Sequence, residues 1–305
     1  MNQAFSGLLL FNKSPGLTSF KSLDIVKKVF KTKKVGHTGT LDKFASGLLL
    51  ILIGKAVKLS PLFLKHCKEY IGELSFGAET DTLDPEGSII ARGDIPTLKD
   101  VENALQKFRG NIMQLPPSYS ALHVNGKRAY QIAREGKEPE LEKRAVTIHN
   151  LEILSYEAPL LKIRALVSSG TYIRSLARDI AIEAGSRAHL SSLTRIGIDD
   201  FSLDHAIDDN TLINSDFNEL GKYICPLNSG LFTKLKIPQL FVNNKNGFFH
   251  GAALEKLFSN GELNGEELIG HTVAAVFPQG DENYFLGYIV KNNDKWSYGH
   301  VFTAN

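Results

Sequence analysis

Leu48 to Ile53 is an unbroken run of six apolar residues, LLLILI. A strand with one wet face alternates apolar and polar positions, so a continuous short run predicts a central, buried strand. It is far too short to cross a bilayer. Just ahead of it stands Gly36-His37-Thr38-Gly39-Thr40-Leu41-Asp42, followed by Lys43-Phe44-Ala45-Ser46-Gly47. Glycines tolerate positive φ and let a ligand approach the main chain. Two readings stand side by side. The segment is a turn leading into a buried strand, or it is a loop that presents the Asp42 carboxylate as a nucleophile or general base.

At 305 residues the chain is comfortable for two domains, and 43% hydrophobic with 22% charged residues suffices for a sizeable core. Cys67 and Cys225 form neither a disulfide framework nor metal-ligand spacing, which places the chain in a reducing cytoplasm. Met1–Phe11 has no basic segment and only four consecutive apolar residues before Asn12, so it does not read as a signal peptide. Charge is unevenly spread. Seven lysines (13, 21, 27, 28, 31, 33 and 34) face one acid, Asp24, between positions 13 and 34, whereas Ile237 to the end has four lysines, no arginine and seven acids. Clustered cations are what a polyanion contacts, although a lysine run on a helix is also an ordinary solvated face.

Leu8–Phe11 reads as a strand. A helix capped by Thr18 or Ser19 follows, with Phe20, Leu23, Val26 and Val29/Phe30 as its apolar stripe. Lys68–Gly77 alternates, putting Tyr70, Leu74 and Phe76 on one face. The acidic turn Thr80–Gly87 lacks an oxygen ligand at Leu83 and a closing Glu, so it reads as a turn and not a calcium loop. Thr97–Phe108 is a helix with a Thr97/Asp100 capping box, Val124–Lys127 a hairpin turn and Tyr130–Glu135 a short helix. Strands are expected at Thr147–Leu154 and Leu161–Val167, and a helix from Tyr172 to Ala184. Residues 205–236 look irregular and serve as a linker. Strands at 272–277, 284–291 and 295–302 then suggest a small β domain.

Arg174 falls in the first turn of its helix, where the macrodipole disfavours cations. An anion such as Asp42 would hold it there and keep that carboxylate ionised. Arg178, one turn on, reads as surface charge. Tyr70 and Tyr172 are either core tyrosines with hydroxyls at the edge or rings that stack on a nucleobase. His37, flanked by small polar residues, suits a base-facing position.

Together these segments resemble the bacterial tRNA pseudouridine synthases of the TruB family: Gly7–Leu10 with Asn12–Ser19, Gly36–Asp42, Lys68-Glu69-Tyr70, Gly77 with Thr80–Thr82, Leu115–Ser120, Gly126–Tyr130 and Gly170–Arg174. They occur in the family's order across residues 7–195. The resemblance implies an α/β (α+β) pseudouridine synthase core with a mixed, mostly antiparallel sheet flanked by helices, over residues 1–204. It carries an RNA-binding insertion at about 94–145, then a linker at 205–236 and a PUA-like β domain at 237–305. It also implies that Asp42, Tyr70 and Arg174 are catalytic, and that His37, Tyr172, Leu193, Lys13, Gly39 and Thr40 contact or support the substrate. The activity implied is conversion of uridine to pseudouridine at position 55 of the tRNA T loop. The partner is tRNA, with no cofactor, metal, membrane or obligatory protein partner. Lys43 stands where the family has proline, freeing φ and adding a cation beside Asp42. The acidic C-terminal segment argues against phosphate gripping. Two rival readings are a catalytically impaired tRNA-binding or RNA-folding protein of the same fold, and a guide-RNA-dependent relative of the archaeal and eukaryotic type.

Overall fold

The computed structural model describes residues 5–258 and 262–302. Residues 1–4, 259–261 and 303–305, which belong to the expected 1–204 and 237–305 domains, lie outside the described residues. The chain builds one large mixed sheet from β1 (Gly7–Lys13), β2 (Val35–His37), β3 (Ser46–Ile53), β4 (Lys68–Phe76), β5 (Gly110–Gln114), β6 (Arg144–Glu157), β7 (Leu160–Val167) and β8 (Ala188–Ile198). Its order is β1-β3-β8-β4-β7-β6-β5, with Ile207–Asp208 outside β1 and β2 against β3. All of these pairs are antiparallel except β3 with β8 and β1 with Ile207–Asp208.

The apolar run lies on β3 and is covered on both faces. Leu49, Ile51 and Ile53 join Leu23 and Val26 of helix α1 (Ser19–Val29) and its C-cap Phe30, while Leu48, Leu50 and Leu52 join Phe277, Phe285 and Phe302 of the C-terminal unit. Two covered faces explain why no polar residue interrupts it. On the other half of the sheet, helices α2 (Leu98–Gln106) and α4 (Ile173–Glu183) pack on Leu74, Phe76, Ile163 and Leu190. The Thr97/Asp100 capping box forms as the sequence predicts.

Helix α1 differs from its expected stripe. The buried positions are Ser19, Ser22, Leu23 and Val26, and Phe20 is 70% exposed. Residues 205–236 are not an irregular linker. They form short helices at Asp209–Ile213 and Ser229–Lys234, and the bridges Ile207–Asp208 and Ile224–Cys225 both pair with β1. Part of the expected insertion also belongs to the body of the fold, because β5 is a sheet strand and α2 buries Val101 and Leu105. The more exposed part is 115–143, with the hairpin His123–Val124/Lys127–Arg128 and α3 (Ala129–Arg134). The small C-terminal sheet has the order β9 (Gln239–Val242), β10 (Val273–Pro278), β11 (Gly287–Asn292), β12 (Lys295–Val301).

Candidate active site

β3 and β8 touch through only two registered pairs, Thr194 with Ser46 and Arg195 with Gly47. The loop carrying Asp42 leads into this junction. Gly47 has φ +104, and a Cβ there would sit 2.3 Å from the Arg195 carbonyl oxygen, so no side chain fits where the strands meet. Neither Gly36 nor Gly39 adopts a left-handed conformation. The sharp turning expected of those two is carried instead by Gly47 and by Gly16, at φ +83.

The Asp42 loop is held from beneath. Lys13 is fully buried, and its Nζ donates to the carbonyls of Leu17 (2.7 Å), Ser14 (3.0 Å) and Lys43 (3.4 Å). Ser19 Oγ bridges the backbone of Leu41, accepting from its N–H at 3.0 Å and donating to its carbonyl at 3.1 Å. The Gly16 N–H donates to Lys43 O at 2.8 Å. Arg195, 1% exposed, donates from Nε to Leu48 O and from Nη2 to Gly39 O. Burial pushes the Lys13 ammonium down to about 8, against the pull of Asp42 and with the repulsion of Arg195.

Asp42 meets Arg174 through two contacts, Nε to Oδ2 at 2.9 Å and Nη2 to Oδ1 at 3.0 Å. The same guanidinium donates to Thr82 O (2.8 Å) and Tyr119 O (3.0 Å), and lies 3.4 Å from Asp84 Oδ2. This answers why a cation occupies the first turn of α4, since four acceptor groups converge on it. The Asp42 side chain remains 36% exposed while Arg174 is 5% exposed, so the carboxylate is set deep among protein atoms yet open on one side. Burial raises the Asp42 carboxyl. Arg174 opposes that rise, Asp84 adds to it, and Lys13 opposes it. The expectation that cations dominate and depress this group is therefore corrected. The Lys43 side chain takes no part in this electrostatic balance, because its ammonium pairs with Glu86 at 2.5 Å in solvent.

Tyr70, Leu193, Leu41 and Ile173 share one apolar cluster. Tyr70 on β4 is 9% exposed and registers with Arg195, and Leu193 registers with Gly72. A Cβ at Gly72 would lie 3.6 Å from the side chains of both Ile173 and Leu193. Tyr172 caps α4 and is half-buried. Burial raises its phenol. Its backbone is clamped by Gln114, which accepts from Tyr172 N–H at 2.8 Å and donates to Tyr172 O at 3.2 Å. Thr40 is exposed. His37 ends β2, and its Nδ1 is buried without a hydrogen-bond partner among the described residues. Burial, then Arg195, lowers its pKa, keeping it neutral at pH 7.

Asp84, Gln114 and Arg195 escape the sequence reading. The signal for Asp84 was the acidic turn itself, where Thr82 and the Glu86 N–H bind Asp84 Oδ1 and turn Oδ2 towards Arg174. Arg178 is not surface charge. It is 14% exposed and bonds Leu115 O and Asp179.

Known proteins share this architecture. A Cbf5-Nop10-Gar1 complex contains a chain 23% identical, with a TM-score of 0.69, covering 97% of this chain and 84% of that one. An H/ACA RNP bound to a substrate RNA containing 2′-deoxyuridine gives 20% identity, a TM-score of 0.65, and 93% and 78% coverage. At these identities the likeness is one of fold. Residues 27–173 match the TruB family pseudouridylate synthase N-terminal domain. The tRNA pseudouridine synthase B of Borreliella burgdorferi (strain ZS7) is 49% identical over 201 residues, covering 65% of this chain and 71% of that protein. Its counterpart in Francisella philomiragia subsp. philomiragia is 45% identical over 217 residues, with 70% and 72% coverage. The chain is thus an isomerase of the pseudouridine synthase class, and it belongs to the TruB family.

Proposed function

We propose that this protein converts uridine 55 in the T loop of tRNA to pseudouridine, with Asp42 as nucleophile on a flipped-out nucleotide and no cofactor. The observation that carries this reading is the two-contact Asp42–Arg174 pair, open on one side, with the Tyr70–Leu193 cluster on the adjoining strands. The reaction breaks the bond between N1 and C1′, turns the detached uracil and joins C5 to C1′. The C5 proton leaves and N1 gains one, so no atom is lost overall. Arg174 fixes the carboxylate oxygens, and attack needs the ionised carboxylate. Tyr70 stacks on the uracil and stands for proton transfer, and Leu193 packs on it. An apolar wall keeps the free base from leaving. Bringing the nucleotide out costs less from a loop than from a duplex.

His37 fills the space left by extruded bases, Tyr172 lines the pocket, and Gly39 and Thr40 lie on the loop facing the RNA. Lysines 21–34 and basic residues 127–134 meet the stem-loop phosphates. The PUA-like unit at 237–305, acidic overall, does not grip phosphate. The engagement of the Lys43 ammonium by Glu86, away from Asp42, supports the catalytic reading over that of an impaired relative. The test is purified protein, without guide RNA or second protein, on a T stem-loop transcript read by pseudouridine mapping. Conversion confined to position 55 is expected. Conversion elsewhere, or only with an added guide or protein, overturns the assignment. The setting is the cytoplasm, and no helix among the described residues is long and apolar enough to cross a membrane.

A further inference from the structure

We propose that Phe20 is a second base-stacking position, taking an unpaired nucleotide next to the target uridine; the inference rests on the RNA-loop substrate proposed above. Phe20 lies in the first turn of α1, where the helical stripe would bury it, yet it is 70% exposed while Ser19 and Ser22 occupy the buried side. An exposed aromatic ring is a platform on which an unpaired base stacks. Its ring stands 5.7 Å from that of His37 at an interplanar angle of 77°. The two rings therefore form an aromatic corner. A flat base laid on the open face of Phe20 turns its edge towards His37, whose neutral ring carries no hydration shell of a charged group.

The corner is fixed relative to the chemistry. Ser19, adjacent to Phe20, is bonded twice to the backbone of Leu41, and Leu41 adjoins Asp42. The uracil cluster of Tyr70 and Leu193 is buried, whereas Phe20 lies outside it, so the two accept different nucleotides. Exposed Lys21 and Lys28 on the same helix supply the positive charge that a polyanion with stacked bases requires.

The test compares wild type with Phe20→Leu and Phe20→Tyr on a T stem-loop transcript, measuring kcat, KM and melting temperature. Leu keeps apolar area and removes the π face. Phe20→Leu should raise KM roughly 5- to 150-fold, the range of one base–aromatic stack. It should leave kcat within about twofold and melting unchanged, and Phe20→Tyr should restore KM. An abasic nucleotide at the contacted loop position should weaken wild type to the level of Phe20→Leu and cost that variant nothing more. An unchanged KM in Phe20→Leu overturns the inference, as does a fall in kcat alone, which would mean Phe20 acts through the loop. Wild type that leaves the transcript unmodified removes the proposed function and this inference with it, so the two failures are told apart by which protein fails.

Discussion

Replacing Arg174 with lysine keeps the charge and removes the fork. The guanidinium serves Asp42 and Tyr119 O on one edge and Thr82 O and Asp84 on the other, while only 5% exposed. A lysine ammonium presents three donors from a single atom, so it cannot serve both edges, and two of the four acceptors lose their partner. Each buried acceptor left unsatisfied costs about 1–3 kcal/mol, which puts Arg174→Lys at about 2–6 kcal/mol. At about 2–4 °C per kcal/mol for a chain of this size, melting should fall by roughly 4 °C or more. Asp42 also keeps at most one of its two contacts, and misplacement of a reacting group by about 1 Å costs on the order of a hundredfold. Near-UV circular dichroism during heating reads the first effect. Tritium release from uridine labelled at C5 in a transcript reads the second. A variant melting within about 1 °C of wild type and keeping half its kcat would refute the reasoning.

Activity should have an acid limb at higher pH than an ordinary aspartate, whose pKa is about 3.9. Burial raises the Asp42 carboxyl, so its ionised form is lost earlier as pH falls. Lys13→Met removes an opposing cation and should move the limb higher still, and a limb that stays in place contradicts this. Gly47→Ala forces a Cβ to 2.3 Å from Arg195 O at φ +104 and should cost more than about 2 kcal/mol, seen as a lower melting temperature. Lys43→Gln breaks a solvent pair whose partners are 53% and 45% exposed. Such pairs contribute about 0–1 kcal/mol, so kcat and melting should stay close to wild type; a tenfold loss of kcat would put Lys43 back in the site.

The elements with strict periodicity were legible in the sequence. β4 buries Tyr70, Gly72, Leu74 and Phe76 in alternation, α2 starts at its Thr97 cap, and α4 buries Ile173, Leu176, Ala177 and Ile180 at helical spacing. β8 was not read as a strand, because irregularities between Leu190 and Ser192 and between Arg195 and Gly197 break its period of two. Bridges of two residues against β1 carry no pattern at all, which is why 205–236 read as a linker. At the site, Arg174 was legible because it broke a local rule. Gln114 and Arg195 obey none and break none. Their partners are 58 and 147 or more residues away, and only the folded sheet brings them together.

The central claim is that the Asp42 carboxylate attacks the nucleotide. Asp42→Asn preserves shape and removes the charge, so pseudouridine formation on a T stem-loop transcript should vanish while the transcript still binds with an affinity near that of wild type. Residual conversion at a rate equal to wild type would contradict the account.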